Sequence, residues 1–299
     1  MKDLYKNCRL CPRECGVDRL NGEIGFCGKT AELSLARAAL HMWEEPCISG
    51  GEGSGTVFFS GCCLRCVYCQ NREIAIGDSG KTVSPQRLEE IFFELQAQGA
   101  NNINLVTPTH YLPHIVSALR SAKNKGLKIP VVYNTSGYEK PESLRLLDGL
   151  VDIYLPDFKY FSAELGKTLS FASDYTDHAM SSLAEMVRQV GRPVFDDRGM
   201  MKKGVIVRHL VLPEQVEDSK NVLKYLYETY GDDIFISIMS QYTPLEAMKD
   251  HPYLSRKLTD AEYDEVVDHA VDLGIENGFL QDGEAAEESF IPPFDNSGI

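Results

Sequence analysis

Residues 56–69 of the chain read TVFFSGCCLRCVYC, a strand-like stretch followed at once by a cysteine-rich loop. The β-branched and aromatic residues at positions 56–59 predict a strand. Cys62, Cys66 and Cys69 then follow with the spacing C-x3-C-x2-C. Cysteines at such close spacing are typical ligands of metals and iron–sulfur clusters, so this loop is the candidate reactive centre of the chain.

Three other interpretations of the loop fit less well. A carrier of the bacterial ferredoxin type needs a further cysteine followed by proline, but the corresponding residues are Glu73 and Ile74. A dithiol redox pair formed by Cys66 and Cys69 leaves Cys62 unexplained. Free buried cysteines are common, yet four within eight residues is too dense for that role. A loop of three thiolates can instead hold a cubane iron–sulfur cluster and leave its fourth iron open.

The bulk composition narrows the class of protein. The chain has 299 residues and a formal net charge of −14, from 44 acidic and 30 basic residues. An acidic surface repels nucleic acid and anionic membranes, so we expect neither as a partner. The sequence has no apolar run of membrane-spanning length and no signal-peptide core, and its nine cysteines suit a reducing compartment. We therefore expect a cytoplasmic protein.

From residue 56 onward, strand-like and helix-like segments alternate six times. The predicted strands are Thr56–Ser60, Asn102–Val106, Pro130–Asn134, Asp152–Pro156, Gly204–Leu212 and Ile234–Met239. This alternation is typical of a parallel sheet, and six units are too few to close an eight-unit barrel. We therefore expect an α/β fold, a partial (β/α)6 TIM-like barrel over residues 56–277. The cysteine loop would lie at the carboxyl ends of its strands, where parallel β/α folds place their chemistry.

The two ends of the chain do not follow this alternation. Residues 1–55 are rich in Cys, Gly and Arg and predict a separate, loop-rich appendage, whereas residues 278–299 predict an acidic and then proline-rich tail. Four cysteines of the appendage have the spacing C-x2-C-x3-C-x11-C, namely Cys8, Cys11, Cys15 and Cys27. They predict either a structural zinc site or a second [4Fe–4S] cluster, and the spacing does not decide between the two.

The C-x3-C-x2-C loop after the first strand, with Tyr68 directly before its last cysteine, resembles the radical S-adenosylmethionine (SAM) superfamily. The resemblance implies that Cys62, Cys66 and Cys69 ligate a [4Fe–4S] cluster whose open iron binds SAM. It implies an enzyme that cleaves SAM reductively to a 5′-deoxyadenosyl radical, which abstracts a hydrogen atom. The alternative is a non-catalytic iron–sulfur or zinc protein used for electron transfer or structure.

Residues after later strands resemble the glycyl-radical-enzyme activases, the group of pyruvate formate-lyase activating enzyme. The segments WEEP at 43–46 and QYTP at 241–244 add to this resemblance. It implies that Asp157 holds a monovalent cation and that five residues contact SAM, namely Tyr68, Asn134, Ser136, Lys159 and Arg208. The chain departs from the activases after its second strand, where residues 106–110 read VTPTH in place of Gly-Gly-Glu. There we expect Thr107, Thr109 or His110 to hydrogen-bond SAM instead; the alternative is that His110 only begins a helix.

The resemblance also implies partners. A flavodoxin or ferredoxin would supply electrons, and a glycyl radical enzyme would be the protein substrate. A partial barrel is open at its side, which suits a macromolecular substrate. The substrate itself is not encoded in any motif of the chain.

Overall fold

A sheet of ten strands forms the centre of the fold in the computed structural model, which describes residues 1–77, 79–245, 250–281 and 292–299. The strands are β1 (Ser34–His41), β2 (Ser54–Phe59), β3 (Lys81–Thr82), β4 (Ile103–Val106), β5 (Val131–Thr135), β6 (Ile153–Pro156), β7 (Val194–Phe195), β8 (Met201–Leu210), β9 (Phe235–Met239) and β10 (Gly278–Leu280). Most of the parallel strands are buried along their whole length, because helices cover one face and the barrel interior the other.

The helices alternate with the parallel strands. Within the described ranges they are α1 (Pro46–Ser49), α2 (Arg72–Ala75), α3 (Pro85–Ala97), α4 (Leu112–Asn124), α5 (Pro141–Leu144), α6 (Ala163–Ser170), α7 (Tyr175–Val190), α8 (Val216–Tyr230) and α9 (Asp260–Leu273). Local capping residues determine where several of these helices begin. Ser84 caps α3 ahead of Pro85, and Thr259 and Glu262 form a capping box on α9. None of these helices has both the length and the apolar character needed to span a bilayer.

Seven strands run parallel in the order β2, β4, β5, β6, β8, β9 and β10. The six predicted strands are all present, which confirms the α/β fold. The last strand, β10, is a seventh that the sequence analysis assigned to the tail. Its three residues are partly exposed and carry little strand signal, so only its pairing with β9 reveals it. The sheet does not close within the described residues, which confirms the open partial barrel.

The amino-terminal segment is less separate than expected. Strand β1 pairs antiparallel with β2, from Leu35 opposite Phe59 to His41 opposite Ser54, and thereby extends the main sheet. Upstream of β1, Tyr5 belongs to the same hydrophobic core as the barrel. Residues 1–55 therefore pack as part of the body, because they bury apolar side chains against it.

The end of the chain also contacts the body. The backbone N–H of Asn296 donates to the Ala36 carbonyl at 3.1 Å, and the N–H of Ala38 donates to the Ser297 carbonyl at 2.9 Å. The ring of Phe294 packs edge-on against Phe58 with 5.4 Å between centroids. The acidic part of the predicted tail, residues 282–291, lies outside the described residues.

Candidate functional site

The loop after β2 places three thiols on one cavity. Cys62, Cys66 and Cys69 line this cavity, which has a volume of about 440 Å³, and all three are free thiols. Residues that end or directly follow β2, β4, β5, β6, β8 and β9 also line it. The cavity therefore lies at the carboxyl ends of the parallel strands, where the sequence predicted the reactive centre.

The shape of the loop depends on two residues with left-handed backbone, Gly61 (φ 94°) and Arg65 (φ 59°). A Cβ atom on Gly61 would lie 2.6 Å from the Lys29 side chain and 2.9 Å from the carbonyl oxygen of Cys27. Glycine is therefore required for both its conformation and the close approach of its neighbours. The N–H of Gly61 donates to the Ile74 carbonyl at 2.8 Å, which closes the base of the loop.

The environment of the thiols fits a cationic cluster. Burial raises the pKa of the Cys62 thiol and raises that of Cys69 to about 12, and the nearby Lys159 ammonium offsets only part of this. Such thiols stay protonated until a cation is bound, and an iron cluster supplies the positive charge that stabilises thiolates. The Ser170 hydroxyl donates to the Cys66 sulfur at 3.0 Å. The donor set therefore suits a [4Fe–4S] cluster.

A buried ionic network forms a second wall of the cavity. Arg208 Nε lies 3.0 Å from Asp157 Oδ1, and Lys159 Nζ lies 2.7 Å from Asp157 Oδ2. The other guanidinium nitrogens of Arg208 reach Glu44 Oε2 at 3.1 Å and Asn134 Oδ1 at 2.7 Å. Burial by itself raises the pKa of Asp157, but attraction to Lys159 and Arg208 outweighs it and lowers that pKa below its usual value. The structure thus brings together four predicted site residues: Asn134 on β5, Asp157 and Lys159 directly after β6, and Arg208 on β8.

Tyr68, Thr107 and Ser136, three of the residues predicted to contact SAM, also line the cavity. The Tyr68 hydroxyl accepts a hydrogen bond of 2.6 Å from Tyr160, which orients the ring. Thr107 has a left-handed backbone (φ 57°), a strained conformation for a β-branched residue, and its N–H donates to the Asn134 carbonyl at 2.9 Å. A β-branched residue therefore adopts, at the cavity wall, a backbone conformation that is usual for glycine.

His110 lies elsewhere than predicted. Its ring is buried behind the loop, does not border the cavity, and forms a 2.7 Å hydrogen bond between Nε2 and the Ser60 carbonyl. Burial lowers the pKa of His110 to about 3, so the ring is neutral and Nε2 carries the proton that it donates. His110 thus lies outside the cavity lining, which favours the alternative in which it does not contact SAM. His110 instead holds the backbone that leads into the cysteine loop.

The amino-terminal cysteines differ in exposure. Cys8, Cys11 and Cys27 are buried and Cys15 is exposed. Cys63, which does not line the cavity, lies close to Cys11 and lowers the pKa of that thiol. Among the described residues, no preformed group of three His, Cys, Asp or Glu side chains surrounds a single ion position, and this applies equally to Cys62, Cys66 and Cys69. A zinc site and a second cluster therefore both stay predictions for the four amino-terminal cysteines.

Sequence reasoning missed the two acidic residues of the segment WEEP. Glu44 and Glu45 both line the cavity, and Glu44 accepts a 2.8 Å hydrogen bond from the Asn104 side chain. Both residues follow the end of β1, and the antiparallel pairing of β1 with β2 brings that end of the strand to the barrel. Two adjacent acidic residues before a proline are normally exposed to water. Their position directly after Trp43 was therefore only a weak sequence signal that they belong to the site.

Comparison with known proteins identifies the family of the chain. Residues 56–226 match the profile of the Radical SAM superfamily. The uncharacterized protein MJ0674 of Methanocaldococcus jannaschii is 31% identical over 278 residues, which cover 90% of this chain and 75% of that protein.

Two solved structures share the fold at low sequence identity. Streptococcus suis SuiB, in a crystal structure bound to S-adenosylmethionine, is 14% identical with a TM-score of 0.50, and the match covers 74% of this chain and 47% of SuiB. The FeFe-hydrogenase maturase HydG from Carboxydothermus hydrogenoformans is 12% identical with a TM-score of 0.51, and the match covers 79% of this chain and 56% of HydG. The chain therefore spans about half the length of these two proteins.

Proposed function

The chain belongs to the radical SAM superfamily, and from this premise we propose that Cys62, Cys66 and Cys69 hold the [4Fe–4S] cluster at which it cleaves SAM reductively. The observation that carries the proposal is the meeting of three free thiols and a buried ionic network on one cavity. When bound, the cluster supplies the one-electron chemistry of SAM cleavage. The non-catalytic alternative would need a fourth cysteine ligand, whereas the described residues that line the cavity include three cysteines, Cys62, Cys66 and Cys69.

The chain's own residues would bind SAM and shield it. Lys159 and Arg208 supply positive charge that can hold a carboxylate, and Asp157 keeps both side chains in place. Tyr68 presents an aromatic ring beside the thiols, where it can pack against the adenine. The apolar side chains of Phe59 and Leu64 line the same cavity and exclude water from a reactive intermediate.

Within the superfamily we place the chain among the glycyl-radical-enzyme activases. Support comes from Asp157, Lys159 and Arg208, which resemble activase residues in sequence and meet at one cavity wall. The electron donor would be a flavodoxin or ferredoxin, and the substrate a glycyl radical enzyme. Incubation of the reduced, SAM-loaded protein with candidate glycyl radical enzymes tests this by electron paramagnetic resonance. SAM cleavage without any protein radical would contradict the activase assignment alone.

The cluster assignment is tested by a matched pair of variants. After anaerobic reconstitution with iron and sulfide, reduction in the presence of SAM should yield 5′-deoxyadenosine with the wild type. We expect Cys66→Ala to abolish this product, because it removes a ligand of the cluster. Cys63→Ala should retain it, because Cys63 is buried outside the cavity. Wild-type product formation by Cys66→Ala would refute the assignment.

A further inference from the structure

One carboxylate of the cavity forms no ion pair of its own among the described residues. Glu45 is 8% exposed, and its Oε2 atom is buried without a hydrogen-bond partner. The other charges on this wall are matched: Asp157 pairs with Lys159 and Arg208, and Glu44 pairs with Arg208. Two carboxylates and two cations therefore cancel, and among the described residues Glu45 adds a negative charge without an ion-pair partner of its own.

The backbone holds Glu45 in this place. Its carbonyl accepts hydrogen bonds from the N–H groups of Ile48 at 2.8 Å and Ser49 at 3.0 Å, and Pro46 begins α1 directly after it. The N–H of Glu44 donates to the Ser49 hydroxyl at 3.0 Å. These bonds fix the backbone of Glu45. Its side chain therefore starts from a fixed point of the cavity wall, where Glu45 is one of the lining residues.

A buried, unpaired carboxylate destabilises a folded protein unless a ligand neutralises it. Burial raises the pKa of Glu45, and neither the attraction of Arg208 nor a hydrogen bond from Ser237 offsets the effect. The unpartnered Oε2 atom of Glu45 is a hydrogen-bond acceptor. A ligand that complements it carries N–H donors and a positive charge.

We propose that Glu45 binds an ammonium group of the substrate, so that the substrate presents a protonated primary amine to the cavity; a glycyl radical enzyme would present it as a lysine side chain. The inference rests on the proposed function, since it assigns the substrate of the same cavity. An ammonium supplies three N–H donors and the missing charge. A carboxylate-bearing or neutral substrate would leave Glu45 unbalanced.

The test uses the cluster-reconstituted protein without SAM and n-butylammonium as the probe, with 1-butanol and butyrate as matched controls. We expect saturable binding of n-butylammonium by calorimetry or NMR, and no binding of the two controls. Glu45→Gln should weaken n-butylammonium binding by at least about tenfold. Equal binding by the variant, or equal binding of 1-butanol, would overturn the proposal. Because this binding assay involves no SAM cleavage, its failure would contradict the role of Glu45 without contradicting the proposed function.

Two further measurements distinguish other roles of Glu45. In the absence of ligand, Glu45→Gln should raise the melting temperature by about 2 °C or more, because it removes a carboxyl whose ionisation burial opposes, whereas Glu44→Gln should lower it by breaking a pair. A lower melting temperature for Glu45→Gln would show a structural role and contradict the proposal. A tenfold loss of SAM affinity in Glu45→Gln would assign this carboxylate to the ammonium of SAM and equally contradict the proposal, even if n-butylammonium binding were lost with it.

Discussion

The two cysteine-rich regions of the molecule differ in what surrounds their thiols. In the cluster loop (residues 60–71), three thiols face a cavity. In the amino-terminal cysteine segment (residues 8–27), a guanidinium lies among them: Arg19 is 1% exposed and its Nη1 atom lies 3.7 Å from the Cys8 sulfur. The first region leaves room for a cluster, whereas the second already contains a fixed positive charge.

This difference shows that cysteine spacing identifies candidate ligands but does not show whether a segment needs a metal in order to fold. Arg19 donates to the carbonyls of Lys29 at 3.1 Å, Thr30 at 2.6 Å and His110 at 2.6 Å, and it lies over the Tyr5 ring. These bonds join the segment to the barrel through protein atoms alone. We therefore expect the amino-terminal cysteine segment to stay folded without metal.

The largest effect is expected from Arg19→Met, which keeps an apolar stem but removes the guanidinium. Three carbonyl oxygens lose a charged donor, so the free energy of unfolding should fall by about 3–5 kcal/mol. Urea unfolding of the metal-free protein measures it. Arg9→Met is the control, because Arg9 is largely exposed, and it should change stability by less than about 0.5 kcal/mol. Equal effects of the two variants would mean that something other than Arg19 holds the segment.

The same contrast explains how much could be predicted from the sequence. The cysteine loop and the six strands are local features, in which ligand spacing and buried apolar runs are sufficient. The placements of Glu44, Glu45 and His110 depend on contacts between distant segments, such as the antiparallel pairing of β1 and the approach of the His110 ring to the Ser60 carbonyl. No local pattern encodes such contacts, so these placements required the structure.

We expect an effect of intermediate size on stability at Glu139. This buried carboxyl lies near both cysteine regions, because it raises the pKa of Cys63 and because Cys11 in turn raises the pKa of Glu139. It accepts hydrogen bonds from the Thr109 and Thr135 hydroxyls. Burial raises the pKa of Glu139 from 4.5 to about 8, although these hydrogen bonds act in the opposite direction. The folded protein thus keeps a proton that the unfolded chain releases as the pH rises.

The stability contributed by this proton is complete below about pH 4.5 and is lost as the pH rises through about 8. Glu139→Gln keeps the acceptor oxygen but cannot ionise. Relative to the wild type, we expect the variant to gain about 1–3 kcal/mol of unfolding free energy between pH 5 and pH 8. Urea unfolding at pH 5, 6.5 and 8 measures the gain. A constant difference across this range would show that Glu139 does not titrate there.

The smallest effect is expected at the surface ion pair between Lys140 and Glu14, which joins the amino-terminal cysteine segment to the start of α5. Glu14 is 42% exposed, and exposed pairs contribute about 0.2–1 kcal/mol because water screens them. A double-mutant cycle with Lys140→Ala and Glu14→Ala measures this coupling. A coupling free energy well above 1 kcal/mol would show that the surface pair, rather than the buried guanidinium of Arg19, holds the segment to the body. Coupling within the expected range, together with a large loss in Arg19→Met, would locate that anchoring in the interior.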